Sequence, residues 1–237
     1  MLEGKIIMIT GASQGLGKAL ALACAERGAN LVINSRSADS LDQVAKEAEA
    51  SGAEVIAVPA DVSRDEDVRD LVETAVERFG RIDVLMNNAG LLGPRVRIEE
   101  YPEDEWRRVI DANLTGPFLL AKATIQHMPE GGSIVNVTSG VSIEGRAEWG
   151  AYSVSKFGVE GLTQILAAEL KDRGIRANSV DPGGMRTEMR AAAYPDEDPT
   201  TRITPEENTD VFLYLASDES REITGERFKA QEFQRSR

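Results

Sequence analysis

The chain has 237 residues, of which 41% are hydrophobic and 28% charged, and its formal net charge is −13. This composition is typical of a globular protein and excludes an intrinsically disordered one. It also argues against a nucleic-acid partner, because phosphate binding needs clustered lysines and arginines. The start lacks the pattern of a secretory signal, and no apolar run reaches the ~18 residues of a membrane span, so we expect no membrane partner.

The sequence contains one cysteine, Cys24, which stands among alanines on the apolar side of a helical pattern. A single cysteine forms no intrachain disulfide, so we expect a cytoplasmic protein with a buried, unreactive thiol. The only histidine, His127, is expected at a helix end. Since no His, Cys or Asp cluster has the spacing of metal ligands, we expect no metal site.

Short apolar runs rich in β-branched residues alternate with longer helical patterns along the chain. The runs predicted to form buried strands are Ile6–Ile9, Leu31–Ile33, Val55–Val58, Val84–Met86, Ile134–Val137 and Ile175–Val180. Repeated strand–helix–strand units predict an α/β fold of the Rossmann type in one domain over residues 1–237. We expect a doubly wound parallel sheet of about seven strands with helices on both faces, in three layers.

A glycine-rich turn follows the first predicted strand and leads into a helix. Glycines let the backbone approach a pyrophosphate, and the helix N-terminus supplies free N–H groups and a favourable dipole. Such a turn alone is weak evidence, but its place in a doubly wound pattern favours dinucleotide binding. The residues expected to contact the dinucleotide here are Gly11, Ser13, Gln14, Gly15, Leu16 and Gly17.

The end of the second predicted strand indicates which dinucleotide binds. NAD-dependent proteins carry an acidic residue there for the ribose 2′-hydroxyl. In this chain the strand ends in Asn34-Ser35-Arg36-Ser37, and the next acidic residue is Asp39. Arg36 can pair with a 2′-phosphate, and Ser35 and Ser37 can donate hydrogen bonds. A solvated arginine on a loop explains Arg36 as well. The pattern favours NADP(H), with NAD(H) as the alternative.

Tyr152 and Lys156 lie four residues apart, so both project from the same face of a predicted helix. A free phenol with a pKa near 10 is a poor base at neutral pH. A neighbouring ammonium that lowered this pKa by roughly three units, ~4 kcal/mol, would suit Tyr152 for general acid/base catalysis. Ser139 could hold the substrate oxygen beside it. Taken alone, a surface pair and a turn serine explain the same residues.

Taken together, the motifs resemble those of the short-chain dehydrogenase/reductase family over most of the chain. They occur in the family's order as the glycine loop, Asp61, Asn87-Asn88-Ala89-Gly90, Asn113, Ser139, Tyr152-x-x-x-Lys156, Pro182-Gly183 and Thr187. The resemblance implies a nicotinamide-dependent oxidoreductase that interconverts a small-molecule carbonyl compound and its alcohol.

The resemblance also implies a role for each catalytic residue. Tyr152 would exchange the proton, and Ser139 would orient the reacting oxygen. Lys156 would lower the pKa of the tyrosine and hold the nicotinamide ribose. Asn113 would support a water-linked proton relay. Further cofactor contacts are implied for Asp61, Val62, Asn88, Ala89, Gly90, Pro182, Gly183 and Thr187.

Pro117 lies four residues after Asn113 in the amphipathic segment Glu103–His127. Proline has no N–H to donate to the carbonyl of Asn113, so we expect a kink and a free carbonyl there. We hypothesise that this carbonyl binds a relay water behind Lys156. A proline merely tolerated at a bend is the alternative.

Substrate specificity is expected from three loops, Leu91–Tyr101, Val141–Gly150 and Gly184–Thr204. The last one, residues 184–204, is predicted to be a mobile substrate loop because its end, Tyr194–Pro205, is polar and punctuated by prolines. Within these loops Arg95, Arg97 and Arg146 could contact an anionic substrate, with solvated loop charges as the alternative. Trp149 could form a wall of the pocket.

Two other functions remain open. A dinucleotide sensor could keep the fold without catalysis, although sensors can lose the tyrosine or lysine and this chain has both. A 3-oxoacyl-thioester reductase is the second alternative. Reductases of carrier-protein thioesters tend to have basic residues just before the fifth strand, where this chain has Pro129-Glu130.

The helix that follows Tyr152 is expected to be apolar on two sides. One stripe holds Val154, Phe157, Leu162 and Ile165, and a second holds Val159, Leu166 and Leu170. A helix of this kind is buried on more than one side, which indicates a homodimer. The tail Glu226–Arg237 lacks the family's usual Asp-Gly-Gly, whose strand often builds a tetramer interface, so a homotetramer is the less favoured alternative.

Overall fold

The computed structural model describes residues 2–234, so the first residue and the last three of the predicted domain 1–237 lie outside the described residues. Its strands are β1 (Ile6–Thr10), β2 (Asn30–Ser35), β3 (Val55–Pro59), β4 (Val84–Asn87), β5 (Ser133–Val137), β6 (Arg176–Asp181) and β7 (Arg227–Lys229). All pair in parallel, in the order β3-β2-β1-β4-β5-β6-β7. The six predicted apolar strands and the seven-stranded sheet are thus confirmed.

Helices cover both faces of the sheet. They are α1 (Gly15–Ala25), α2 (Ala38–Glu49), α3 (Asp65–Phe79), α4 (Glu103–Ile110), α5 (Gly116–Thr124), α6 (Gly150–Glu169), α7 (Glu188–Ala193) and α8 (Asp210–Ala216). The core on one face joins α1, α2 and α8, and the core on the other joins α3, α5 and α6. Within residues 2–234, no helix has both the length and the apolar character needed to cross a membrane.

Side chains along β1 show why the protein has three layers. Ile7 and Ile9 belong to the core on the α1 side, whereas Ile6 and Met8 belong to the core on the α3 side. Successive strand residues point to opposite faces, so a strand buried on both sides is apolar throughout. The predicted three-layer Rossmann-type fold is confirmed.

The strand order reverses at β1, which has β2 on one side and β4 on the other. The chain therefore leaves β1 and β4 toward opposite faces, and a crevice opens at their carboxyl ends. Ligands of doubly wound sheets bind in such a crevice.

The segment Glu103–His127 is one continuous helical stretch with a local irregularity. The turn Asp111–Thr115 between α4 and α5 is a π-helix, in which Gly116 N–H donates to the Asp111 carbonyl. Pro117 stands in the first turn of α5, where a missing N–H is tolerated. The expected disturbance at Pro117 thus takes the form of a wide turn just before it.

Cys24 is fully buried in α1. Burial raises the pKa of its thiol to about 12, and the nearby charge of Arg27 opposes this only in part. The prediction of a buried thiol is thus confirmed, and its lack of reactivity stays a prediction, because the thiolate is the reactive form of cysteine.

Candidate active site

A cavity of about 1050 Å³ opens at the carboxyl ends of the strands. The loops that follow β1, β2, β4, β5 and β6 all contribute to its lining. Every residue predicted to contact the cofactor lines this cavity, and so do Ser139, Tyr152 and Lys156. Asn113 is the predicted site residue that does not. One concave surface therefore collects residues spread over more than 170 positions of the chain, from Gly11 to Thr187.

The glycine loop lines one end of the cavity. A Cβ atom on Gly11 would lie 2.8 Å from the Ala89 Cα atom, and one on Gly17 would overlap the Gly11 carbonyl oxygen. Asn88 fixes the loop, because its Nδ2 donates to the carbonyl oxygens of Thr10 at 2.8 Å and Gly11 at 3.1 Å. The glycines are thus required by close packing, and they leave the start of α1 accessible to an anion.

The loop after β2 forms the next part of the lining. Arg36 is exposed there and makes no ion pair with any residue between 2 and 234. Asp61 also lines this part of the cavity. Burial acts to raise the pKa of its carboxyl group, but hydrogen bonds from Ser63 and the charges of Arg36 and Arg64 outweigh it, so the pKa is lowered. This part of the cavity therefore holds a free guanidinium and several hydroxyl groups, which is a donor set suited to phosphate.

Ser139, Tyr152 and Lys156 meet at the other end of the cavity. Ser139 follows β5, and Tyr152 and Lys156 lie in the first turns of α6. Ser139 lies close enough to Tyr152 for its side chain to act on the pKa of the phenol. Lys156 Nζ donates to the Val137 carbonyl oxygen at 2.7 Å and lies 5.8 Å from the centre of the Tyr152 ring. Three of the four residues predicted to be catalytic thus form one cluster.

The pKa of Tyr152 corrects the sequence prediction. Burial raises this pKa to about 12, the hydrogen bond with Ser139 acts against the rise, and the charge of Asp181 adds to it. Burial lowers the pKa of Lys156 to about 8, and the charge of Glu160 acts in the opposite direction. The expected lowering of the Tyr152 pKa is therefore wrong for this geometry, because desolvation of the phenol dominates. At neutral pH Tyr152 carries its proton.

Asn113 is buried behind the cavity, where its side chain forms hydrogen bonds with neighbouring elements. Its side chain binds the backbone of the loop after β4, and its Nδ2 also donates to Ser155 Oγ on α6 at 3.2 Å. It thereby connects the π turn to the helix that carries Tyr152. The water relay expected at its backbone carbonyl stays a prediction.

An aromatic wall stands beside the catalytic cluster. The ring centre of Trp149 lies 5.6 Å from that of Tyr152 and 6.1 Å from that of Tyr194. Trp149 and Tyr194 both line the cavity. The predicted role of Trp149 in walling the pocket agrees with this position.

Of the three candidate arginines, only Arg146 lines the cavity. Arg95 lies behind the wall, with its guanidinium carbon 4.8 Å from the Trp149 ring centre and 5.2 Å from that of Tyr194. Its Nη1 donates to the Ala193 carbonyl oxygen. Arg97 forms an exposed ion pair with Glu99. Arg95 therefore supports the wall and does not reach the cavity.

The segment 184–204 contains α7 and several charged contacts. Glu197 accepts hydrogen bonds from Arg190 Nε at 2.6 Å and from Arg202 Nε at 3.0 Å, and these bonds lower its pKa to about 2. Met185 pairs with Ile203, which brings the two ends of the segment together. The segment thus closes on itself over the cavity, and its predicted mobility stays a prediction.

Several lining residues were not predicted from the sequence, among them Thr138, Asp181, Met185 and Met189. Thr138 directly follows β5 and Asp181 ends β6, so the rule that ligands bind at carboxyl ends of strands could have found them. The methionines lie in the loop Gly184–Thr204, which was expected to contribute to specificity.

Comparisons with known proteins agree with this geometry. A family model described as short chain dehydrogenase matches residues 5–198. The chain belongs to the short-chain dehydrogenase/reductase family. This dehydrogenase is 37% identical to the oxidoreductase YciK of Escherichia coli, with 98% of this chain and 93% of that protein covered. It is 39% identical to the 3-oxoacyl-(acyl-carrier-protein) reductase FabG of Thermotoga maritima, with 95% of each covered.

Solved structures of other dehydrogenases have the same fold. One from Shigella flexneri in complex with NADP superposes with a TM-score of 0.91 at 36% identity, covering 97% of this chain and 98% of that one. One from Escherichia coli in complex with NADPH gives the same values. The family resemblance is thus confirmed, and the dehydrogenase is an oxidoreductase.

Proposed function

We propose that this dehydrogenase interconverts a small carbonyl compound and its alcohol with NADP(H), using Tyr152 as the general acid and base. One observation carries the proposal. Ser139, Tyr152 and Lys156 meet at one end of a cavity whose other end holds the glycine loop and Arg36. A dinucleotide extended between these ends would place its nicotinamide beside Tyr152.

The residues present fit an NADP(H) molecule. The glycine loop and the start of α1 line the cavity, so the free N–H groups of the helix N-terminus would hold the pyrophosphate. Arg36, which has no ion pair among residues 2–234, would hold the 2′-phosphate with help from Ser35 and Ser37. The solved relatives from Shigella flexneri and Escherichia coli, in complex with NADP and NADPH, support this choice over NAD(H). When bound, the cofactor supplies or accepts the hydride.

The protein's own contribution is to orient the substrate oxygen and to move its proton. The raised pKa keeps Tyr152 protonated at neutral pH, and Ser139 lies beside it, so the two hydroxyls converge where a carbonyl oxygen would bind. Tyr152 would donate its proton to the developing alkoxide while Ser139 orients that oxygen. The Lys156 ammonium would stabilise the phenolate that remains, since opposite charges attract strongly at a buried site. Oxidation of the alcohol would reverse these steps.

A second candidate for the specific activity is reduction of a 3-oxoacyl thioester. The 39% identity with the Thermotoga maritima reductase over 95% of each chain favours it. The sequence before β5, Pro129-Glu130, lacks the basic residues expected for an acidic carrier protein. We therefore keep the small carbonyl compound as the primary proposal.

We further propose a homodimer formed by α5 and α6. Phe118 on α5 is 47% exposed, and Val154, Phe157 and Ile165 on α6 are 48%, 43% and 54% exposed. Leu162, which was grouped with them, packs against the core. Burying this stripe against a second copy would remove a large apolar surface from water.

Cofactor oxidation across a panel of aldehydes, ketones and one 3-oxoacyl thioester, with NADPH and NADH in parallel, tests the proposal. We expect turnover with NADPH and weaker turnover with NADH. A preference for NADH would contradict the assignment of Arg36. Turnover of the thioester alone would favour the second candidate, and a protein that binds NADPH but reduces nothing would contradict both.

A further inference from the structure

A charged cluster, formed by Arg227, Glu160 and Asp181, lies directly behind the catalytic serine. Arg227 stands on β7, near the end of the chain. Its Nη2 donates to the Ser139 carbonyl oxygen at 3.2 Å and to Asp181 Oδ2 at 3.0 Å, and its Nε donates to Glu160 Oε1 at 3.0 Å. The guanidinium of Arg227 thus connects the turn after β5 with strand β6 and helix α6.

The charges of this cluster are largely shielded from water. The side chains of Arg227, Glu160 and Asp181 are 21%, 12% and 10% exposed. Glu160 also accepts hydrogen bonds from Ser142 Oγ at 2.8 Å and Ser179 Oγ at 2.6 Å. Removing one partner of a buried ion pair leaves an uncompensated charge, so each member depends on the others.

The bond to Ser139 acts on the peptide that carries the reactive hydroxyl. The same carbonyl oxygen accepts a hydrogen bond from Ser142 N at 3.0 Å, which closes the turn after β5. Asp181 in turn accepts from Gly183 N at 2.9 Å and fixes the turn after β6. Arg227 therefore ties together the two turns that border the catalytic end of the cavity.

We propose that Arg227 is a positioning residue of the reaction, which holds Ser139 through its backbone carbonyl and balances the charges of Glu160 and Asp181. The inference rests on the proposed function of Ser139 and Tyr152. It gives the last strand, β7, a role in catalysis although no residue of that strand lines the cavity.

The rest of the C-terminal segment supports this role. The sequence after residue 226 departs from the family pattern. In this segment the side chain of Gln231 binds the turn after β6. Its Nε2 donates to the carbonyl oxygens of Pro182 at 2.9 Å and Gly184 at 3.0 Å. Both residues thus hold the border of the active site from behind.

The cluster also affects the acid/base groups. Two charged side chains face Tyr152, namely Lys156 from α6 and Asp181 from β6, and Glu160 faces Lys156 from the next turn of α6. The negative charge of Asp181 raises the pKa of Tyr152, and that of Glu160 raises the pKa of Lys156. Arg227 neutralises part of both charges, so its loss would raise both pKa values further.

The test compares Arg227→Met and Arg227→Lys with Lys229→Met, a control that removes a positive charge from the exposed part of the same strand. We expect Arg227→Met to lower kcat by about 10- to 100-fold because the serine is displaced. Affinity for NADPH should stay within about twofold, and the pH profile of kcat should shift to higher pH. Arg227→Lys should recover part of kcat, since one ammonium can replace some of the three contacts.

Hydrogen exchange gives a readout that does not depend on turnover. In Arg227→Met the Ser142 amide, which binds the Ser139 carbonyl, should exchange faster than in the wild type or in Lys229→Met. If Arg227→Met does not fold, Arg227→Gln carries the same measurements, because its amide can still donate to one acceptor.

An unchanged kcat and pH profile, or equal changes in the Lys229→Met control, would overturn the proposal. Absence of turnover in the wild type would instead count against the proposed function. In that case the exchange rate at Ser142 still decides whether Arg227 holds the turn.

Discussion

The side chain of Asn113 binds both backbone groups of Leu91, which lies 22 residues earlier in the chain. Its Oδ1 accepts from Leu91 N at 2.7 Å, and its Nδ2 donates to the Leu91 carbonyl oxygen at 2.8 Å. A residue predicted to serve proton transfer therefore also fixes the loop that borders the cavity after β4.

Asn113→Ala should destabilise the protein because it leaves the partly buried backbone groups of Leu91 without these partners. We expect the free energy of unfolding to fall by about 1–3 kcal/mol. Urea denaturation measures this change. Gln126→Ala, a change on an exposed part of the same helical segment, should stay within about 0.5 kcal/mol of the wild type. Equal stabilities for the two variants would show that the Leu91 contacts carry little energy.

Tyr152→Phe should abolish turnover and leave the affinity for NADPH nearly unchanged. The variant loses the proton that Tyr152 donates but keeps the ring that packs against Trp149. Steady-state kinetics and fluorescence titration with NADPH measure the two effects. Tyr214→Phe, in α8 on the opposite side of β5, should retain full activity. Turnover by Tyr152→Phe at the rate of the wild type would refute the catalytic assignment.

Arg36→Ala should weaken NADPH binding more than NADH binding. A charge-assisted hydrogen bond contributes about 1.5–3 kcal/mol, so we expect a loss of about 10- to 100-fold in the affinity for NADPH. Arg64→Ala is the matched control, because Arg64 also acts on Asp61 but does not line the cavity. Calorimetric titrations of both variants with both cofactors give the comparison. A similar loss for NADH would argue against a 2′-phosphate contact.

Lys156 should make the stability of the protein rise with pH. Its pKa is about 8 in the folded chain and 10.5 in an unfolded one, so the folded state binds fewer protons between these values. The free energy of unfolding therefore increases as pH rises through this window.

Urea denaturation of the wild type and of Lys156→Met isolates this effect. Between about pH 7.5 and pH 9.5, the wild type should gain about 2 kcal/mol relative to the variant. The pKa of Tyr152 is raised to about 12, so this residue affects stability only above about pH 10. There it lowers the free energy of unfolding as pH rises, which is opposite to the effect of Lys156. A constant difference between wild type and variant would show that Lys156 titrates near its ordinary pKa.

Phe157→Glu should convert the proposed dimer into a monomer, because it puts a charge into the apolar stripe of α6. Sedimentation velocity measures the change. Ile98→Glu is the control, since Ile98 is 65% exposed but belongs to neither α5 nor α6. A wild-type protein that sediments as a monomer would remove the basis of the dimer proposal.

Local features of the sequence predicted most of the fold and of the cofactor site. The strands were predictable because each is a short apolar run, and strands buried on both faces have that pattern wherever they occur. The glycine loop was predictable because the turn at Gly11 excludes side chains. The family's motif spacing then placed Tyr152 and Lys156 together.

Other properties of the site depend on contacts between distant parts of the chain. Arg95 seemed able to meet the substrate, but it stacks behind Trp149 and Tyr194. Nothing in the local sequence around Arg227 points to Ser139, which lies 88 residues earlier.

The sequence by itself determined the order of strands and helices, the glycine loop and which residues we propose for the chemistry. These depend on side-chain periodicity and on fixed spacings within single elements. The tertiary structure decided how those residues behave. Burial, which no local pattern specifies, raises the pKa of Tyr152 and lowers that of Lys156. The packing of β7 against β6 then brings Arg227 to the catalytic serine.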